Sequence, residues 1–259
     1  MNKSIQDYAT LLHTAERRRV PIAPLSAEEP ALTIVEAYAI QSAWFEQRSA
    51  TGERLIGRKI GLTSQAMQQQ LGVDQPDYGF LLDTMVVPSR GALAFENFIQ
   101  PRIEPEIAFW LAADLHGPGV TLEQVLQATR GVSAALEVVD SRIRNWRIAL
   151  VDTIADNASS ARVIVSEQLF PIEAFDLAKV HVKMTRDGEE VGSGTGAAVL
   201  GHPAAAVAWL ANKLAEFGTS LEAGQLVLPG AMCAAVPIRQ GDTFRAVFDG
   251  LGDIAISFT

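Results

Sequence analysis

Cysteine is almost absent from this chain. Its single copy, Cys233, excludes an intrachain disulfide and any thiolate cluster, and fits a reducing compartment. In "PGAMCAAVPI" it sits among small and apolar residues, which points to a buried, inert thiol rather than a nucleophile. Histidine is also sparse, and the 4 copies have no paired metal-ligand spacing, which weakens a zinc-site reading. Positive charge is in short supply: 21 Lys and Arg face 30 Asp and Glu, for a net charge of −9. The pI is near 5.0. A nucleic-acid binder would present a basic face; the longest basic run here, "ERRR" from Glu16 to Arg19, reads as the polar side of an N-terminal helix. No stretch approaches the ~20 apolar residues that a membrane span needs. The N-terminus, "MNKSIQDYATLLHTAERRR", has no uninterrupted apolar region and no cleavage signature, so it is not a secretory signal. The expectation is a soluble cytoplasmic protein without nucleic-acid or membrane partners.

What is present is ordinary for a globular protein: 48% hydrophobic and 20% charged residues over 259 positions. That length buries a sizeable core without disulfides or structural zinc. Ile5, Tyr8, Leu11 and Leu12 follow a helical period within residues 3–19. A connector bearing Pro21, Pro24 and Pro30 follows and discourages helix. Thr33 then caps a second amphipathic helix that ends by Gly52. Residues 1–52 thus form a small helical N-terminal subdomain, and 53–259 the main domain.

Beyond Gly52 strands outnumber helices. Residues 54–62, 103–115, 135–140, 161–166 and 179–188 read as strands. Asp187-Gly188 is a hairpin signal with "EEVGSG" as the return strand. Residues 121–131 and 202–218 read as helices, and the tail alternates short strands. The regular strand–helix alternation of a doubly wound fold is missing, which points to α+β with a strongly curved or rolled sheet.

"QPRIEPEIAFWL" carries Glu104 and Glu106 two positions apart in an otherwise strand-like stretch, so both side chains share a face. Either that face is solvated or a cation sits between them. Ile103 and Ile107 take the opposite face, while the glutamate face runs on to Ala108 and Trp110, which is not plainly a solvent face. Oxygen ligands suit a hard cation such as Mg²⁺ or Mn²⁺. Two carboxylates would leave the site under-charged, and Glu137, inside the apolar "AALEVVD", is the candidate third ligand. Its alternative is an ion pair with Arg142, Arg144 or Arg147. Asp140 marks the end of that strand and is a partner for Arg142.

Lys59 in "GRKIGLT" is either a strand-surface charge or a desolvated cation that steadies an anionic substrate. Asp77 follows Pro76 in "VDQPDYGFL" (73–81), which reads as a turn. In "TIADNASSAR", Asn157, Ser159 and Ser160 are turn residues or substrate-contacting donors. "GSGTGAAVLGHP" lacks the P-loop lysine and the full dinucleotide spacing, so it reads as a glycine-rich approach to the helix near His202.

"GRKIGLT", "GVDQPDYGFLLDTM", "PRIEPEIAF", "LEVVDSRI", "VDTIADNASS" and "LGHPAAAVAWLANKL" occur in an order and spacing that resembles the 2-keto-4-pentenoate hydratase / 4-oxalocrotonate decarboxylase family, part of the fumarylacetoacetate hydrolase superfamily. The resemblance runs from about residue 5 to the end. It implies a mixed β-roll of the fumarylacetoacetate hydrolase C-terminal type, with a helical N-terminal region and usually a homo-oligomer, in meta-cleavage breakdown of aromatic compounds. It also implies a Mg²⁺ or Mn²⁺ site on Glu104, Glu106 and Glu137, with Lys59, Asp77 and Ser159 around the substrate.

The implied chemistry is coherent. A 2-oxo acid offers a carboxylate and a keto oxygen to a cation that stabilises an enolate. In a hydratase, 2-hydroxypenta-2,4-dienoate tautomerises and water adds at C4. Asp77 would act as the general base, while Lys59 would hold charge or relay a proton. A decarboxylase uses the same electron sink on a 2-oxo-enedioate and needs no water base. "PDYG" is the hydratase form of its turn, whereas "ADNASSAR", "GAAVLGHP" and "CAAVPI" look closer to decarboxylases. Pro229 also departs from the family, which commonly places Thr or Ser before that glycine. Asp77 alone has a direct chemical reason to differ between the reactions, so hydratase is the expected activity and 4-oxalocrotonate decarboxylase the alternative. A C–C hydrolase of the wider superfamily would want a His–Glu pair not evident here. A related hydratase or decarboxylase is an expected partner, and the intact glutamates count against a non-catalytic subunit. An arginine that met a distal carboxylate would favour a diacid; Arg58, Arg102, Arg142, Arg144 and Arg162 are the candidates.

Overall fold

The computed structural model describes residues 3–64, 68, 73 and 75–259. Ser4 Oγ accepts from the Asp7 N–H and the Asp7 carboxylate accepts from the Ser4 N–H, a reciprocal box that starts the helix Ile5–Arg18. Thr33 and Glu36 do the same for Ile34–Ser49. Each such cap stabilises its helix by ~1 kcal/mol. The second helix stops three residues before Gly52, whose φ of +98° is the conformation that favours glycine. The connector between them contains a short helix, Leu25–Glu28, that the prolines argue against. Pro24 stands at its N-cap, where the missing N–H costs no helical hydrogen bond.

Among the described residues the chain then lays down thirteen strands: β1 (Leu55–Gly61), β2 (Asp77–Leu82), β3 (Val86–Pro88), β4 (Ala92–Leu93), β5 (Arg102–Leu111), β6 (Thr129–Val139), β7 (Ser160–Val165), β8 (His181–Arg186), β9 (Glu189–Thr195), β10 (Leu226–Leu228), β11 (Val236–Pro237), β12 (Thr243–Phe248) and β13 (Gly252–Phe258). One sheet runs β2-β1-β10-β5-β6-β7-β3, with β11 beside the start of β5. It is mixed: β1/β10 and β3/β7 are parallel and the other pairs antiparallel. The second sheet, β4-β13-β12-β8-β9, contains the β8–β9 hairpin turned at Asp187-Gly188. The helix Pro203–Ala215, capped by His202, contacts the first sheet at β1. Both helical and sheet regions feed one continuous hydrophobic core. Among the described residues no helix is long and apolar enough to cross a membrane.

The first sheet is curled, and the curl builds the site. In a flat sheet β2 and β7 would lie five strand spacings apart, about 24 Å. Yet they approach to within 8 Å between Cα atoms, and over the concave face Lys59 Nζ on β1 comes within 3.2 Å of Glu137 Oε2 on β6. Asn157 ties the rolled edge: its Oδ1 accepts the Phe80 N–H at 2.7 Å and its Nδ2 donates to Phe80 O at 3.0 Å. Gln41 pins the N-terminal helices to the same region, donating through Nε2 to Tyr78 O and Ile154 O.

Several expectations change. The stretch 121–131 is helical only over Leu122–Ala128, because Thr129 already opens β6. The expected turn at 73–81 is a strand from Asp77 onward, with all six residues of β2 buried; burial on both faces removes the alternation that marks a strand. Asp74 of that stretch lies outside the described residues. Cys233 is half-buried rather than buried, because it follows the Gly230 loop and lies against Gly192 and Gly194. The glycines there serve close approach: a Cβ at Gly194 would stand 1.9 Å from Met232 O.

Candidate metal centre and active site

Strand register assembles the acidic group. Glu104 on β5 stands directly opposite Glu137 on β6, and Glu106 lies two residues further along the same face. One carboxylate oxygen from each of the three falls within 4.8 Å of the others. Glu106 and Glu137 are fully buried, and Glu104 is half-buried and forms the accessible side. Three carboxylates this close repel one another in a low-dielectric interior. Burial pushes Glu104 up to about 7. Burial, then the neighbouring Glu137, raises Glu106 well above the usual carboxylate range.

The hydrogen bonds leave room for a cation. Glu106 Oε2 accepts the Gly230 N–H at 2.7 Å, but its Oε1 has no hydrogen-bond partner among the described residues. Glu137 Oε1 accepts from Ser160 Oγ at 2.7 Å. Glu137 Oε2 has Lys59 as an ionic neighbour and, among the described residues, no hydrogen bond. Buried carboxylate oxygens without donors are costly unless something positive completes them. The donor set is all oxygen and converges, so these residues fit a hard divalent cation.

Lys59 is the desolvated cation of the two readings, 3% exposed. Burial works against its charge, yet Glu137 and then Asp77 hold its pKa above the ordinary lysine value. Its Nζ also donates to Ala158 O at 3.0 Å. Asp77 is buried and faces the same space: Thr153 Oγ1 donates to its Oδ2 at 2.8 Å, while Oδ1 has no hydrogen-bond partner among the described residues. Burial raises its pKa, and Lys59 and Thr153 pull it partly back.

Asn157, Ala158 and Ser159 all adopt positive φ, at 56°, 47° and 56°, a left-handed turn that non-glycine residues rarely string together. This turn presents Ala158 O to Lys59. The Ser159 hydroxyl donates to Asp156 Oδ2 at 3.2 Å, and it is the adjacent Ser160 that touches a glutamate of the acidic group. The arginine alternative for Glu137 does not occur, nor does an Asp140–Arg142 side-chain pair. Arg142 Nε meets Asp156 Oδ1 at 2.5 Å, and the Asp140 carboxylate accepts the N–H groups of Ile99 and Gln100. Buried Arg142 thereby braces the left-handed turn from below. Thr153, Gly230 and Ser160 complete the site and were not singled out for these roles, since their contacts come from distant parts of the chain.

A curled mixed sheet with a helical N-terminal portion, three converging glutamates of which two are fully buried, and an internal lysine define a class of α+β enzyme folds. The chain belongs to the fumarylacetoacetate (FAA) hydrolase C-terminal family, which matches residues 58–258. It is 45% identical over 257 residues to the 2-hydroxyhexa-2,4-dienoate hydratase of Comamonas testosteroni, covering 98% of this chain and 97% of that protein. It is 42% identical over 255 residues to the 2-keto-4-pentenoate hydratase of Paraburkholderia phymatum, covering 98% and 97%. The solved 4-oxalocrotonate decarboxylase from Pseudomonas putida G7, complexed with magnesium and adipate, superposes with a TM-score of 0.96 at 39% identity, covering 98% and 97%.

Proposed function

We propose that the protein is a metal-dependent hydro-lyase that adds water to a 2-hydroxy-2,4-dienoate, giving a 4-hydroxy-2-oxo acid, in meta-cleavage catabolism of aromatic compounds. The observation that carries the reading is Asp77: a buried carboxylate beside Lys59, with one oxygen fixed by Thr153 and the other without a hydrogen-bond partner among the described residues. Glu104, Glu106 and Glu137 would hold Mg²⁺ or Mn²⁺. When bound, such an ion supplies an electron sink for the carboxylate and keto oxygens of a 2-oxo acid. The chain's own residues do the rest. Lys59, kept cationic by its acidic neighbours, holds negative charge that develops on the substrate. Asp77 takes a proton from water at Oδ1, and its raised pKa makes it a stronger base than an ordinary aspartate. The turn carrying Ser159 forms the substrate-facing wall, with Ser159 as a contact residue.

Similarity to the hydratases at 42–45% identity supports this reading. The second reading, 4-oxalocrotonate decarboxylase, is favoured by the likeness to the Pseudomonas putida G7 structure. The rest of the reading is a cytoplasmic homo-oligomer, alone or with a related hydratase or decarboxylase, whose helical subdomain spans 1–52. An ultraviolet assay with Mg²⁺ and then with chelator separates the activities. Metal-dependent formation of 4-hydroxy-2-oxopentanoate from 2-hydroxypenta-2,4-dienoate supports the hydratase. CO₂ release from 2-oxo-3-hexenedioate, without hydration of the dienoate, replaces it with the decarboxylase.

A further inference from the structure

The face of the first sheet opposite the glutamates is not sealed by the N-terminal helices. Between that face and the ends of Ile5–Arg18 and Ile34–Ser49 lies a cavity of about 540 Å³, the size of a small-ligand pocket. Arg17, Arg19, Arg48 and Arg162 line it against three carboxylates, Glu16, Glu53 and Asp140. A concavity with a positive balance stands out in a chain whose net charge is −9.

The carboxylates already have donors. Arg48 holds Glu53 with two prongs, Nε to Oε1 at 2.9 Å and Nη2 to Oε2 at 2.6 Å, and its Nη1 reaches Glu16 at 3.5 Å. The Asp140 carboxylate accepts the N–H groups of Ile99 and Gln100. The other three arginines keep most of their donors. Arg19 gives one bond to Asn97 Oδ1 at 2.8 Å. Arg17 makes no side-chain hydrogen bond or ion pair among the described residues.

Arg162 is half-buried, the least exposed of these three. It pairs with Val138 while Ser160 pairs with Val139, so Ala161 is an extra residue that flips the alternation. Ser160 is thereby turned to Glu137 and Arg162 to the far face, into the cavity. Its guanidinium lies 5.9 Å from the centroid of the Phe98 ring, and its Nη1 donates to Ala161 O at 2.7 Å. Among the described residues it has no ion pair, and burial works against its charge. A partly desolvated guanidinium without a carboxylate at ion-pair distance is costly until an anion completes it. His13 adds a donor: Trp44 Nε1 donates to its Nδ1 at 3.3 Å, so the neutral ring carries its proton on Nε2.

We propose that this cavity is a binding site for a phosphate group, free or carried on a small ester, with Arg162 as its inner donor and Arg17 and Arg19 at its mouth. Donors arriving from a helix, the residue that ends it and a strand suit an anion with oxygens on several sides. A planar carboxylate would use a single guanidinium fork. The site lies across the sheet from the glutamates and does not depend on the reaction proposed there.

The test titrates inorganic phosphate and glycerol 3-phosphate calorimetrically into the Mg²⁺-loaded protein. Wild type is expected to bind one equivalent, and Arg162→Gln to weaken it at least about tenfold. Arg17→Gln, at an exposed position, should weaken it about threefold, and this variant decides alone if Arg162→Gln does not fold. Arg130→Gln, an exposed residue at the opposite end of β6 from Asp140, should bind as wild type does. Glu106→Gln, which impairs the glutamate site, should also leave the affinity unchanged. Tighter binding of glycerol 3-phosphate supports an ester as the ligand, and parity supports the free ion. No binding in wild type overturns the proposal. So does binding that is lost in Glu106→Gln, which would place the phosphate on the metal, or binding that Arg130→Gln weakens as much as Arg162→Gln, which would make it general surface attraction.

Discussion

Thr153 Oγ1 donates to Asp77 Oδ2 at 2.8 Å across 76 residues of sequence. One oxygen of the carboxylate is thereby fixed, and the other faces Gly61 and Lys59. A Cβ on Gly61 would stand 2.3 Å from Asp77 Oδ1, so a residue without a side chain at that position keeps the space open. Gln41 secures both partners through the residues that follow them, Tyr78 and Ile154. A helix of the N-terminal portion therefore helps to aim the proposed base.

Asp77→Asn keeps the shape of the side chain and an oxygen that can accept from Thr153. It removes the basic site, so hydration should fall by about 10²–10⁴-fold, with a smaller loss in ketonisation of the dienol. Stopped-flow absorbance resolves the two steps. Equal losses in both would dismiss Asp77 as the base for water.

Glu106→Gln can still accept the Gly230 N–H but lacks the charge a cation requires. Mg²⁺ affinity measured by calorimetry should weaken by at least about 100-fold, beyond the effect of losing a supporting residue. The circular dichroism spectrum should not change. Wild-type affinity in this variant would count decisively against the metal assignment.

The response to metal should depend on pH in a defined direction. Burial raises Glu104 to about 7, and burial with the neighbouring Glu137 lifts Glu106 well above its ordinary value. Both stay protonated in the folded, metal-free protein at a pH where the unfolded chain has already released its protons. Raising the pH through 7 therefore costs the metal-free fold stability. A bound cation offsets that loss by favouring the ionised carboxylates. The gain in Tm on adding Mg²⁺ should be larger at about pH 8 than at about pH 5.5. A flat or inverted profile in scanning fluorimetry would contradict the raised carboxylates.

Much of this architecture is legible in the sequence because it rests on local chemistry. The cap at Thr33, the hairpin at Asp187-Gly188 and the shared face of Glu104 and Glu106 each follow from residues within a few positions of one another. What stays hidden depends on register and closure. Ser160 and Arg162 would share a face in a regular strand, and only the extra residue Ala161 sends one to Glu137 and the other to the far side. Asp77 looks like turn chemistry after Pro76 because β2 is buried on both faces and shows no alternation. Glu137 is flanked in sequence by arginines, yet its cationic neighbour is Lys59, delivered by the curl of the sheet.

Asn157 tests that curl directly. Its amide satisfies both the N–H and the carbonyl of Phe80 in β2, and it opens the left-handed turn that offers Ala158 O to Lys59. Asparagine tolerates this conformation better than most residues do. Asn157→Ala would leave two buried backbone groups without partners, each costing ~1–3 kcal/mol. The expected loss in urea unfolding is about 2–4 kcal/mol, accompanied by reduced turnover as Lys59 loosens. Asn157→Asp keeps the acceptor for the Phe80 N–H but brings an unpaired charge to Phe80 O, so it should destabilise as well. A loss below about 0.5 kcal/mol, the scale of a surface substitution, would mean that other contacts close the roll.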